Sequence, residues 1–88
     1  MCRSIKLLFN FEPPATDEEI RASSLQFVRK LSGFNVPSKA NEKAFNKAVS
    51  EVTSAARKLL DSLVTTAQPK DREVEAQRAR ARAMERYL

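Results

Sequence analysis

The sequence contains no histidine, one cysteine and one glycine among its 88 residues. A histidine-based catalytic triad or an imidazole metal site needs histidine, and a phosphate-binding loop needs several glycines. A single cysteine forms neither an internal disulfide bond nor a cysteine zinc cluster. We therefore expect no catalytic residues, no metal site and no cofactor.

Long apolar runs are also missing. None approaches the ~20 residues that span a bilayer, and the apolar segment near the start is too short for a signal peptide. These features predict a soluble, cytoplasmic protein without a membrane partner. The net charge of +5 is compatible with a nucleic-acid partner, but such a charge is common in small cytosolic proteins and does not decide the partner.

A long amphipathic helix is predicted over residues 41–66. Its apolar residues lie one, three or four positions apart, which is the spacing of a helix with one buried face. Ser38 or Asn41 is expected to cap its first turn. The helix is longer than a small core needs, which is compatible with a homodimer. Its apolar face comprises Phe45, Ala48, Val49, Val52, Ala56, Leu59, Leu60 and Leu63.

A shorter helix precedes the long one. Thr16 and Glu19 have the spacing of a capping box, and Gly33 stands where a helix commonly ends. A short loop between two amphipathic helices predicts an antiparallel hairpin over residues 16–66. The shorter helix is expected to bury Ile20, Phe27, Val28 and Leu31, with Leu25 at the edge of the buried face.

The first 15 residues are predicted to form an arm and a rigid connector. Residues 1–11 fit a strand, a helix or an extended arm, but no other segment has a strand pattern that could supply a partner. We favour a short helix or an extended arm that covers the long helix. Pro13 and Pro14 then restrict the backbone before the first hairpin helix.

A last helix is predicted from about Asp71, within residues 67–88. Its apolar positions are few, so it either leans on the hairpin or projects from it. The whole chain, residues 1–88, is thus predicted to be one all-α domain. The apolar positions of the last helix are Val74, Ala81, Met84 and Leu88.

Three features are candidate sites. The hairpin loop is a candidate partner-binding loop, because backbone N–H groups at a helix start can hold an anion or an acidic peptide. The last helix has a candidate phosphate-binding arginine stripe. Cys2 is a candidate reactive thiol if Met1 is removed, although it could equally be a small apolar residue in a core. The loop residues are Phe34, Asn35, Ser38, Lys39 and Asn41, and the stripe is Arg78, Arg82 and Arg86.

Several motifs together resemble a family of short prokaryotic proteins of unknown function. They are MCRSI at the start, NFEPPATDEEIR at residues 10–21, SGF followed by PSKANE, and DREVEA near the end. They cover nearly the whole chain in order. The family implies no activity, cofactor or partner.

Residues 7–21 also resemble the opening of a chaperone J-domain. That resemblance implies a helical hairpin whose long second helix packs back on the first. J-domains carry a His-Pro-Asp tripeptide between these helices to engage their chaperone ATPase. The loop here reads GFNVPS and lacks the tripeptide, so the resemblance implies the hairpin without ATPase stimulation.

The sequence therefore favours a small, non-enzymatic protein-interaction module. One alternative is a nucleic-acid-associated protein that uses the arginine stripe. A second alternative is an accessory redox or metal protein that uses Cys2.

Overall fold

The computed structural model describes residues 5–86 and is mostly helical, which confirms the predicted all-α class. None of the helices in this part of the chain is long and apolar enough to cross a membrane. The α-helices are α1 (Asp17–Ser32), α2 (Glu42–Ser62) and α3 (Arg72–Arg86). A 3₁₀ turn covers Lys39–Asn41, and two short strands are β1 (Phe11–Glu12) and β2 (Lys70–Asp71).

Both ends of α1 are formed by the residues that the sequence indicated. The backbone N–H of Glu19 donates to Thr16 Oγ1 at 3.2 Å, and the Thr16 N–H donates to Glu19 Oε1 at 3.0 Å. This reciprocal pair is a capping box. Gly33 ends the helix with φ 77°, and its N–H donates to the carbonyl oxygen of Arg29 at 2.9 Å.

Replacing Gly33 with alanine is expected to lower the free energy of unfolding by about 1–2 kcal/mol, because a left-handed backbone is unfavourable for L-residues with a Cβ atom. No atom lies within 4 Å of the position a Cβ would occupy, so the cost is conformational rather than steric. Gly33→Asn should cost less, since asparagine tolerates this conformation. Urea unfolding of both variants checks the order, and equal losses would contradict it.

The core of the hairpin is a narrow contact between α1 and α2. Val28 of α1 forms one buried cluster with Phe45 and Val49 of α2, and Ile20 of α1 is buried outside this cluster. Ser24 of α1 is also buried, and its hydroxyl donates to the carbonyl oxygen of Ile20 at 2.9 Å, so no polar atom of its side chain is left without a partner.

The buried face of α1 is narrower than predicted. Phe27 is 42% exposed and Leu31 is 71% exposed, so the expectation that both are buried is wrong. In the described chain α1 packs mainly against one other helix, and α2 covers only part of the apolar face. Leu25 lies at the edge of the core, as expected.

The long helix is shorter than predicted. It ends at Ser62 instead of residue 66, and Leu63 is already extended. Val64, Thr65 and Thr66 are β-branched and so have low helix propensity, and Val64 is 93% exposed, so no packing compensates for it.

The start of α2 also differs from the prediction. Neither Ser38 nor Asn41 caps the helix through its side chain. Instead, the Asn41 amide donates to Ser38 Oγ at 2.7 Å, and the 3₁₀ turn leads directly into α2. The two side chains therefore stabilise the turn rather than the first turn of α2.

The N-terminal segment is an extended arm that ends in a strand pair. β1 pairs in parallel with β2, with Phe11 opposite Lys70. Asn10 has a left-handed backbone with φ 65°, and its side-chain amide donates to the carbonyl oxygen of Gln68 at 3.2 Å. The Lys70 N–H donates to the Asn10 carbonyl oxygen at 2.8 Å. The extended arm agrees with the prediction, whereas the expectation that no strand partner exists is wrong.

The arm covers only part of the C-terminal end of α2. Phe9 and Leu60 line a small cavity of about 200 Å³ between the arm and the helix. Leu60 is half-buried, but Leu59 is 57% exposed and Leu63 is 42% exposed. On the predicted apolar face of the long helix, Leu60 is thus partly covered, whereas Leu59 and Leu63 remain exposed.

The last helix projects from the hairpin. The Val74 N–H donates to Asp71 Oδ1 at 3.0 Å, so Asp71 caps α3, and the helix begins where the sequence predicted it. No residue of α3 is buried, and its contacts within the described chain are chiefly with β2. The Cα radius of gyration is 15.5 Å, against about 12 Å for a compact domain of this length. Of the predicted apolar positions, Val74, Ala81 and Met84 are exposed, and Leu88 lies outside the described residues.

Candidate functional site

A groove of about 710 Å³ lies between the N-terminal arm and α3. We call it the arm–α3 groove. Its apolar lining comes from Leu7, Leu8 and Phe11 on the arm and from Ala76 and Ala79 on α3. The strand pair joins the two walls, because β1 continues the arm and β2 leads directly into α3.

The face of α3 that lines the groove is set by helical spacing. Arg72, Ala76 and Ala79 are separated by four and three residues and therefore lie on one side of the helix. Val74 and Met84, the larger apolar residues, fall on other sides and are exposed. The α3 wall of the groove thus combines two small residues, Ala76 and Ala79, with four charged ones: Arg72, Glu73, Glu75 and Arg82.

The base of the groove contains an ion pair between α1 and α3. The Arg72 guanidinium donates to the Glu19 carboxylate, whose other oxygen accepts the Thr16 N–H. These hydrogen bonds, that of Arg72 first, lower the pKa of Glu19 to about 2 from its ordinary 4.5. The same interaction raises the pKa of Arg72. The capping box of α1 and the attachment of α3 therefore share one carboxylate.

The remaining carboxylates of the groove are paired along α3. Glu75 accepts from Arg78 at 3.2 Å, and Glu73 lies 3.6 Å from Arg80. Both pairs are exposed enough that each contributes little to stability. These pairs instead reduce the negative charge at the groove, because cations of the same helix neutralise both glutamates.

Three cations of the groove have no carboxylate partner within residues 5–86. They are Lys6 on the arm, Lys70 on β2 and Arg82 on α3. The Lys70 ammonium lies 5.9 Å from the centre of the Phe11 ring, which is a cation–π distance. The groove thus combines apolar side chains with charged ones, and its four cations outnumber its three carboxylates.

The predicted partner-binding loop is exposed and held by short-range hydrogen bonds. The Arg29 guanidinium donates to the carbonyl oxygen of Asn35 at 3.0 Å, and the Phe34 N–H donates to Ser32 Oγ at 3.2 Å. Ser38 and Asn41 bond to each other, so Ser38 Oγ is already used within the loop. Lys39 lies in the 3₁₀ turn, and the five predicted residues share this end of the hairpin.

The predicted arginine stripe lies on α3, where its three residues are exposed. Only Arg82 lines the groove, whereas Arg78 pairs with Glu75 and Arg86 is at the end of the helix. Cys2 lies outside the described residues. Within them, no group of three or more histidine, cysteine, aspartate or glutamate residues could hold a metal ion.

Sequence reasoning found one of the groove cations and missed the rest of the groove. Leu7, Phe9 and Phe11 of the arm alternate in a pattern interrupted by Leu8, and it fits a strand, a helix or an extended arm. The strand partner β2 is only two residues long and carries Lys70 and Asp71. The alanines at positions 76 and 79 also give little indication in the sequence that they line a groove. The only usable signal was the alternation at Leu7, Phe9 and Phe11.

A family model described as "Uncharacterized conserved protein (DUF2277)" matches residues 1–78. The chain belongs to this family. The predicted resemblance to a family of unknown function is thereby confirmed. No curated protein and no solved structure matches the chain. The part that matches DUF2277 includes the arm, the hairpin, β2 and the first half of α3, and it ends before Ala79 and Arg82.

Proposed function

We propose that this member of DUF2277 is a non-enzymatic protein-interaction module whose partner binds in the arm–α3 groove. The observation that carries the proposal is the exposure of α3, none of whose residues is buried. A helix of this length is marginal in water without tertiary packing. A partner that covers the groove face would supply that packing.

The lining of the groove favours binding over chemistry. The side chains that line it in the described chain are aliphatic, aromatic, carboxylate or cationic, and none carries a hydroxyl, thiol or imidazole group. Its carboxylates are engaged in ion pairs. Five of the twelve lining residues are apolar and seven are charged. A groove of this mixed composition suits a partner that places apolar side chains between complementary charges.

The two alternative functions have less support. Arg78 and Arg80 of α3 pair with glutamates of the same helix, which leaves fewer arginines for phosphate groups. A redox or metal role would depend on Cys2, which the described structure does not include. The leading proposal rests instead on the exposure of α3, which the structure does describe.

Position-specific photocrosslinking tests this function. A benzophenone amino acid replaces Ala79 in the groove and, as a matched control, the exposed Ala55 on α2. Irradiation of cells of the source organism is expected to give a discrete protein adduct at position 79 only. The adduct should disappear when Leu7→Glu places a charge in the groove lining. No adduct at position 79, or the same adduct at both positions, would contradict the proposal.

A further inference from the structure

We infer that the segment bound in the arm–α3 groove is an acidic amphipathic helix of a partner protein. The inference rests on the proposed function and adds the chemistry of the partner. It draws on three properties of the groove. They are the length of its α3 wall and the two alanines in that wall, the short strands beside the groove, and the cations that have no carboxylate partner in the described chain.

The wall formed by α3 suits a second helix. A helix of 15 residues is about 22 Å long, which matches three to four turns of a partner. Ala76 and Ala79 leave room between the charged side chains of this wall, and the distance between two packed helices depends on the side chains at their contact. Leu7, Leu8 and Phe11 on the opposite wall offer apolar contacts to a helix with anchors at i, i+3, i+4 and i+7.

An added strand fits the site less well. β-strand addition gains its affinity from a continuous row of backbone hydrogen bonds along a sheet edge. Here β1 and β2 are two residues each and already pair with one another. Their outer edges therefore offer too few hydrogen bonds to hold an extended peptide.

The charges around the groove select an acidic helix. Lys6, Lys70 and Arg82 have no carboxylate partner in the described chain, whereas the groove glutamates at positions 19, 73 and 75 are each paired. Carboxylates on the flanks of a bound helix would pair with these three cations. A basic helix would meet three uncompensated positive charges. The repulsion between like charges at the interface would disfavour its binding.

The test uses three labelled synthetic peptides of about 14 residues, long enough for the three to four turns that α3 presents. The first has leucines at i, i+3, i+4 and i+7 with glutamates on the flanks. The second replaces the glutamates with lysines, and the third replaces the leucines with serines. Fluorescence anisotropy with the full chain at low salt is expected to give at least about tenfold tighter binding for the first peptide than for either other peptide.

Two charge variants locate the site. Lys6→Gln, Lys70→Gln and Arg82→Gln together should weaken binding of the acidic peptide about tenfold and reduce its dependence on salt. The matched control, Lys30→Gln, Lys43→Gln and Lys58→Gln, removes the same charge from exposed positions of the hairpin and should leave the affinity nearly unchanged. Equal losses in the two variants would overturn the inference, because only overall charge would then matter.

Other outcomes separate the inference from the proposed function. Equal affinity for the glutamate and lysine peptides overturns the acidic partner, while a specific crosslink at position 79 keeps the interaction module. A single-stranded oligonucleotide that binds more tightly than the acidic peptide, and loses affinity in the groove variant, would assign the groove to nucleic acid instead. Absence of both the crosslink and peptide binding overturns both proposals.

Discussion

Replacing Ile20 with alanine is expected to lower the free energy of unfolding by about 2–5 kcal/mol. Ile20, near the start of α1, is 1% exposed, and its truncation removes apolar contacts and leaves a cavity. Such a loss is a large share of the total stability of a small domain, which is about 5–15 kcal/mol. Urea unfolding followed by circular dichroism measures it directly.

Leu31→Ala is the matched control, because it removes a side chain of the same volume from the same helix. Leu31 is 71% exposed, so we expect a loss of less than about 0.5 kcal/mol. The sequence pattern alone placed both residues on the buried face and would give them similar effects. A loss at Leu31 as large as that at Ile20 would show that this side chain is covered in solution.

Glu19→Gln is expected to remove much of the pH dependence of stability in the acidic range. The pKa of Glu19 is about 2 in the folded protein, below its ordinary 4.5, because Arg72 and the Thr16 N–H stabilise the carboxylate. The folded state therefore binds this proton less readily than the unfolded state. The stabilisation is complete above about pH 4.5 and is lost as the pH falls towards about 2.

The comparison is made by urea unfolding at several pH values. Wild type should be clearly more stable than Glu19→Gln near neutral pH, and the difference should shrink as the pH falls to about 2. Glutamine retains the hydrogen-bonding capacity of the capping box, so the variant isolates the charge. Glu18→Gln removes a neighbouring carboxylate that forms no ion pair within residues 5–86. A pH profile of Glu19→Gln parallel to wild type would contradict the assignment.

The helix boundaries could be predicted where their chemistry is local. Thr16 and Glu19 are three residues apart, Gly33 acts through its own backbone, and Asp71 caps the N–H of Val74. Each of these interactions needs only neighbouring residues, so the sequence contains the information. The end of α2 was missed because the apolar spacing continues to Leu63, although this residue is left 42% exposed.

The breadth of the core and the groove could not be predicted, because both depend on contacts between distant segments. Whether Phe27 is buried depends on how much of α1 is covered by α2, which periodicity does not reveal. The groove forms only when the arm pairs with β2, and those segments are about 60 residues apart in the chain. Ala76 and Ala79 then become a wall, a role that no local pattern indicates.

The strand pair also sets an order of folding events. Closing a loop of about 60 residues in an unfolded chain costs about 3–4 kcal/mol, more than two short strands recover. Once the hairpin has formed, the start of α1 and the end of α2 lie at the same end of it, and only the short segments 13–16 and 63–69 remain to be ordered. The hairpin therefore forms first, and the arm and α3 dock afterwards. Substitutions at Asn10 should then speed unfolding and leave the folding rate nearly unchanged.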